Sequence, residues 1–399
     1  MYNLHLSAEQ LEFRDTVRGF VDDEVKPVTL KADRLDLGDR TLPLAVLDKA
    51  SQLGLRTLAL PEDLGGVGAD NLTCCIVTEE LAAGDADVAA VLTETSALGR
   101  VLFGAMTPRQ RERFLPAFLE DDSYHLARGC REPDDDSVLG INYHRPAAAM
   151  RLSTTARRDG DHWIVNGAKD FVANAPIARL IAVEAQTDTG AALFLMTPDT
   201  AGLTVTEQPE PRWYHGCCGR LALKDVRVPA DNVVVSAGGD AGRGVPTAQA
   251  LNLGIGRAAY EAALEYAGLR VQGGRRLIEH QAIGTKLAQI AITLEAVRNT
   301  IWQAAWASDH PEAVADRSLA DLPLAAISRV FSAEAIYRAT KDATECFGAM
   351  GVMRDMPLQK YINDARICLY SGDGTADARL RIAEALVNYR RGPALLAAE

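Results

Sequence analysis

The tail of the chain holds an acidic residue of a type that can take part in proton transfer. In GDGTADAR at 372–379, Asp373 precedes Gly374 and Thr375. A carboxylate shielded from water and facing an apolar pocket has a raised pKa and becomes a better general base. An aspartate in an Asp-Gly pair is also an ordinary turn residue, and the string alone leaves both readings open. A second cluster is basic. RVQGGRRLIEHQ at 270–281 carries Arg270, Arg275 and Arg276. These can bind phosphate oxygens through charge-assisted hydrogen bonds, or they can be solvated helix-end charges.

Metal chemistry finds no support. His5, His125, His144, His162, His215, His280 and His310 show no HExxH or related spacing, so no metal site is expected. The seven cysteines include the adjacent pairs Cys74-Cys75 and Cys217-Cys218 but no CxxC. They read as small buried hydrophobes, and an odd count without a secretion signal suits a reducing, cytoplasmic compartment. The opening MYNLHLSAEQ lacks a basic segment followed by an apolar one, so no signal peptide is expected. A net charge of −12 argues against nucleic acid as a partner. No run of about 18 uncharged apolar residues occurs, so no membrane insertion is expected.

The elements that must position these residues change character along the chain. Its 399 residues, 48% apolar, predict a globular protein of two or three domains. Residues 7–25 read as a helix, with Ser7 and Gln10 as a capping box and Phe13, Val17, Phe20 and Val21 on one face. Helical text continues over 44–53, 72–83 and 108–119, interrupted by the glycine-rich loop PEDLGGVGAD at 61–70. From about 127 the text becomes short alternating runs, at 179–184, 191–196, 203–207 and 220–228, which predict strands. Asp159-Gly160 predicts a hairpin turn between 154–158 and 162–165. SAGGDAGRG at 236–244 reads as a linker. Beyond it Ile283, Leu287, Ile290, Leu294, Val297 and Ile301 form a stripe for antiparallel helix packing. The predicted domains are an N-terminal helical domain (1–126), a β domain (127–235) and a C-terminal helical bundle (236–399).

Five strings stand in one order: PEDLGGVGAD (61–70), REP (131–133), WIVNGAKDFVAN (163–174), LKDVRVPADN (223–232) and GDGTADAR (372–379). Together they resemble the acyl-CoA dehydrogenase family, from about residue 5 to about residue 390. The resemblance implies a multidomain α+β fold: a helical domain, a β-barrel-like middle and a four-helix bundle. It also implies FAD as cofactor, an acyl-CoA thioester as substrate, electron-transfer flavoprotein as acceptor and a homotetramer. In that family a carboxylate takes the α-proton while flavin N5 takes the β-hydrogen as hydride. Asp373 stands where the family usually has glutamate; it is one methylene, about 1.5 Å, shorter, and the segment before it is one residue longer, through Ser371-Gly372.

The remaining site residues follow from the same resemblance. Arg131 stands in place of a threonine beside the flavin ring, and Ser137 at a serine of the same loop. Phe171 and Ala173 replace a tryptophan and a threonine. Arg131 facing the ring favours reduced, anionic flavin; facing solvent or Glu132, it is a surface residue. Arg270 and Gln281 match a segment that reaches the cofactor of a neighbouring subunit, with Gly273 in place of its phenylalanine. Gly348 and Gly351 match a glycine-rich turn near the cofactor, Thr375 a phosphate or ribityl contact, and Val245 replaces an arginine. Two further readings compete with dehydrogenation: nitroalkane-oxidase-like flavin chemistry, and a non-catalytic subunit of a heteromeric dehydrogenase.

Overall fold

The chain switches from helix to strand at His125 and back to helix at Thr247. The computed structural model describes residues 5–36, 38, 40–133, 152–208, 214–234, 245–316, 322–370 and 374–386. Helices α1 (Ala8–Phe20), α2 (Lys26–Thr29), α3 (Leu44–Gln52), α4 (Asn71–Gly84), α5 (Ala86–Ala105) and α6 (Pro108–Glu120) come first. Strands β1 (His125–Gly129), β2 (Thr155–Asp159), β3 (His162–Ala173), β4 (Ala178–Gln186), β5 (Ala191–Met196), β6 (Leu203–Glu207), β7 (Cys218–Pro229) and β8 (Val233–Val234) follow. Then come α7 (Thr247–Leu269), a small hairpin of β9 (Val271–Gln272) and β10 (Arg275–Arg276), α8 (Gln281–Asp309), α9 (Glu312–Ala315), α10 (Leu324–Cys346), α11 (Leu358–Tyr370) and α12 (Gly374–Leu386). By contacts the described residues fall into two units, one drawn from 1–43, 70–90 and 244–387 and the other from 44–69 and 91–243.

The first unit is helical apart from the β9–β10 hairpin. Ser7 and Gln10 close the expected capping box on α1, and Asp70 caps α4 by accepting from the Thr73 N–H at 2.7 Å. Every residue of α4 is buried, so its two acidic residues need partners. Glu79 pairs with Arg298 at 2.7 Å, and Glu80 with Arg257 at 2.6 Å and Arg18 at 2.8 Å. These pairs tie α4 to α1, α7 and α8. A second buried group joins Arg40, Asp364, Lys360 and Asp85. The predicted stripe on α8 is core from Leu287 through Ile301. Gly254 lets α7 lie against α4, since a Cβ there would sit 2.4 Å from the Glu79 carbonyl oxygen.

The second unit is built on an eight-stranded sheet in the order β6-β7-β3-β2-β4-β5-β8, with β1 parallel to β4. Alternation along β4 and β5 serves two layers. Ile181, Val183, Phe194 and Met196 meet Val165, Val172, Leu221 and Val226. Leu180, Ala182, Leu193 and Leu195 meet Leu98, Leu102 and Phe103 of α5 and Phe114 and Phe118 of α6. The β2–β3 hairpin forms one residue later than predicted: Asp159 pairs with His162, so Gly160 and Asp161 make the turn. Gly160 takes the left-handed position, φ +63°. Helix α5 lies outside the predicted helical stretches, because Thr93, Glu94, Thr95 and Ser96 interrupt its apolar pattern. By length and composition it passes for a membrane span, yet 56% of its apolar window is buried within the protein.

Candidate functional site

Two predicted site residues from distant strings meet in the second unit. The Arg131 guanidinium carbon lies 4.9 Å from the centroid of the Phe171 ring. Backbone geometry brings them together. The Asp170 N–H donates to the Arg131 carbonyl at 2.9 Å, which fastens β3 to the loop after β1. The β3–β7 register then slips between Lys169 and Val172. Such a bulge re-aims one side chain. Here it turns Phe171 outward at φ +49°, a conformation rare for an aromatic residue, with 43% of the residue exposed. Asp170 pins the bulge. Its buried carboxylate accepts from the Phe171 N–H at 3.0 Å, from Arg220 at 3.1 Å and from Gln208.

Glu132, the middle of the REP string, does not face Arg131. It turns inward and accepts from Ser153 N–H and Oγ, each at 2.7 Å, and from Thr154 N–H at 2.7 Å. Lys169 Nζ completes the set at 3.1 Å. Burial alone raises this carboxyl; the hydrogen bonds from Thr154 and Ser153 outweigh it and bring the pKa down to about 2. Sequence reading passed over this pair because a lysine in a mostly apolar strand reads as an outward-facing residue. The buried-lysine signal needed the carboxylate 37 residues upstream.

The other predicted residues fall as follows. Ala173, two residues past Phe171, is half-buried and pairs with Cys218. Arg270 and Arg275 are exposed on either side of the Gly273-Gly274 turn, whose φ values are +63° and +82°. Arg276 is already held by Glu279 at 3.0 Å. Gln281 begins α8 and is exposed. Gly348 is exposed at φ +56°. Gly351 has a packing reason of its own, since a Cβ there would sit 2.6 Å from the Thr344 carbonyl oxygen. Thr375 lies half-buried in the first turn of α12. Ser137 and Asp373 lie outside the described residues.

Further titratable groups belong to the second unit. Glu94 on α5 is half-buried; burial raises its carboxyl, opposed by the charge of Arg128. His125 is buried beside Thr95 Oγ1, 3.2 Å away, and burial together with the Arg56 charge lowers it to about 4. Among the described residues no three His, Cys, Asp or Glu side chains group as metal ligands. A cavity of about 360 Å3 is lined by Thr107, Arg109, Gln110, Arg113, Asp231 and Asn232 among others, none of them a predicted site residue.

Three family models match in sequence: acyl-CoA dehydrogenase N-terminal domain over residues 7–122, middle domain over 146–226 and C-terminal domain over 241–387. The mitochondrial short-chain specific acyl-CoA dehydrogenase of Bos taurus is 31% identical, across 94% of this chain and 90% of that protein. The butyryl-CoA dehydrogenase structure from Megasphaera elsdenii superposes with a TM-score of 0.81 at 26% identity, covering 97% of this chain and 100% of that one. A glutaryl-CoA dehydrogenase in complex with glutaryl-CoA gives 0.82 at 25% identity, covering 98% of each chain. With its helix–strand–helix order and a near full-length match to such relatives, the chain belongs to the acyl-CoA dehydrogenase family, a group of oxidoreductases.

Proposed function

We propose that the chain catalyses FAD-dependent α,β-dehydrogenation of an acyl-CoA thioester. The observation that carries this reading is the near full-length match to a dehydrogenase of acyl-CoA, 94% of this chain at 31% identity. The residues present fit the cofactor. Arg131 and Phe171 offer an exposed aromatic face and a cation. The exposed Arg270 and Arg275 suit phosphate oxygens. An added Cβ at Gly274 or Gly348 meets nothing within 4 Å, so a ligand can approach that backbone closely. FAD, when bound, supplies the two-electron acceptor for the hydride leaving the β-carbon.

The protein's share is proton transfer and positioning. Asp373 takes the α-proton as the C=C bond forms. In the second unit Ser137, Phe171 and Ala173 would contact FAD, and in the first unit Thr375 and the glycines at 348 and 351 would do so. Electrons pass onward to electron-transfer flavoprotein. The active form is a homotetramer, with Arg270 and Gln281 reaching a neighbouring copy. Exposed Leu269 (74%), Ile292 (62%) and Val271 (59%) support such an assembly. The cysteine usage supports a cytoplasmic location. Anaerobic titration of the purified protein with a panel of acyl-CoA thioesters tests the reading. One FAD per chain, bleached by at least one thioester, is the expected result. A colourless protein that takes up no FAD, or a loaded one that no thioester reduces, defeats it.

A further inference from the structure

Local stability does not account for the arrangement of Arg131 and Phe171. At an exposed site the stack contributes less than holding an aromatic in the left-handed region costs. The strain is not repaid by burial, because the ring remains 43% exposed. Among the described residues no carboxylate forms an ion pair with Arg131. Glu132 is committed to Lys169, Ser153 and Thr154, and Asp170 to Arg220, Gln208 and the Phe171 N–H. Cys218, which feels the Arg131 charge, is a thiol pushed up by burial to about 12. A planar cation with no carboxylate partner among the described residues is therefore held on an everted aromatic ring. That suits a planar ligand which gains negative charge in one of its states.

We propose that Arg131, steadied on Phe171, is a fixed positive charge set against the flavin ring, where it favours the reduced, anionic ring over the oxidised, neutral one. The inference rests on the FAD reading above and deepens it. A cation that favours the reduced state raises the potential in proportion to the logarithm of its preference for that state. Each tenfold preference for the reduced state is about 30 mV for a two-electron couple.

Equilibrium reduction of the FAD-loaded protein against a reference dye measures this without turnover. Arg131→Met keeps side-chain length and removes the charge; its flavin should lose at least a tenfold preference for the reduced state and titrate about 30 mV lower. Arg131→Lys keeps the charge and should stay near the parent. Phe171→Leu loosens the stack and should fall between the two. FAD content, read from the absorbance of each protein, separates the two levels of the argument. If no variant and no parent binds FAD, the proposed function fails and takes this inference with it. If FAD is bound and Arg131→Met titrates with the parent, only the role of Arg131 is overturned. A lysine variant that falls as far as the methionine one also overturns it, since charge is then not the cause.

Discussion

Lys169 Nζ lies 3.1 Å from Glu132 Oε1 and 3.1 Å from the Cys130 carbonyl oxygen, with none of the residue exposed. The ammonium thereby bolts β3 to the loop that presents Arg131. Its two ends are not equivalent. Glu132→Gln leaves a buried cation without its counter-charge, which costs about 3–5 kcal/mol. Lys169→Met leaves Glu132 with its Ser153 and Thr154 donors and should cost clearly less. Urea unfolding at neutral pH checks the ranking, and the reverse order would show that Glu132 is not the counter-ion Lys169 depends on.

Two buried groups make stability fall in steps as acid is added. The folded His125 titrates at about 4 against an ordinary 6.5, because burial and Arg56 favour the neutral ring. Between those values the unfolded chain binds the extra proton, so the contribution is complete above pH 6.5 and lost on the way down to 4. Glu132 titrates at about 2 against 4.5. Its contribution is complete above pH 4.5 and lost as pH falls toward 2. One proton difference gives a slope of about 1.4 kcal/mol per pH unit. His125→Gln should flatten the upper step and Glu132→Gln the lower one. Unfolding free energies across pH 7 to 3 that keep the parent slopes would refute the assignment.

Two glycines on α7 should respond oppositely to the same substitution. Gly254→Ala pushes a methyl to 2.4 Å from the Glu79 carbonyl oxygen and 2.7 Å from Ala82 Cβ. Overpacking of this kind costs about 1–3 kcal/mol. It also strains α4, whose Glu79 and Glu80 hold Arg298 and Arg257. At Gly268 a Cβ meets nothing within 4 Å, so alanine there should gain about 0.5–1 kcal/mol of helix stability. Thermal melts moving in opposite directions are the expected outcome; a shared direction would contradict the close α4–α7 contact.

Periodicity made much of this fold legible. The α8 stripe, the Ser7 capping box and the strands at 191–196 and 203–207 stand where local pattern puts them. Helix α5 was not legible because its Thr-Glu-Thr-Ser stretch breaks the apolar repeat, and only tertiary neighbours such as Asn174, which donates to Thr95 Oγ1 at 3.2 Å, explain those polar residues. The site divides the same way. The family resemblance carried by the short strings implied that Arg131 and Phe171 share one site. That they touch depends on a bulge, and a bulge is set by the β3–β7 pairing rather than by either string. Likewise, the Asp170 carboxylate looks like surface charge until Arg220, 50 residues later, is placed beside it.

The choice of base is the sharpest remaining prediction. Asp373→Asn is nearly isosteric, so fold and FAD content should persist while turnover falls by about 10²–10⁴. The competing carboxylate is Glu94. Burial raises its pKa and Arg128 pulls it back, so it is a basic carboxylate that is ionised only above the ordinary glutamate range. The pH profile separates the two. With Asp373 as base, Glu94→Gln should leave the rate of flavin reduction by a good thioester within a few-fold of the parent. With Glu94 as base, that substitution should abolish reduction, and the acid limb of kcat/KM should lie above the usual carboxylate range. Asp373→Glu adds a geometric test. The longer side chain either restores the reach of the family's glutamate or overfills a site shaped for aspartate, at a cost of roughly 1–3 kcal/mol. Rapid-mixing measurement of flavin reduction in the three variants checks all of this. Reduction by Asp373→Asn at the parent's rate moves the proton transfer to Glu94.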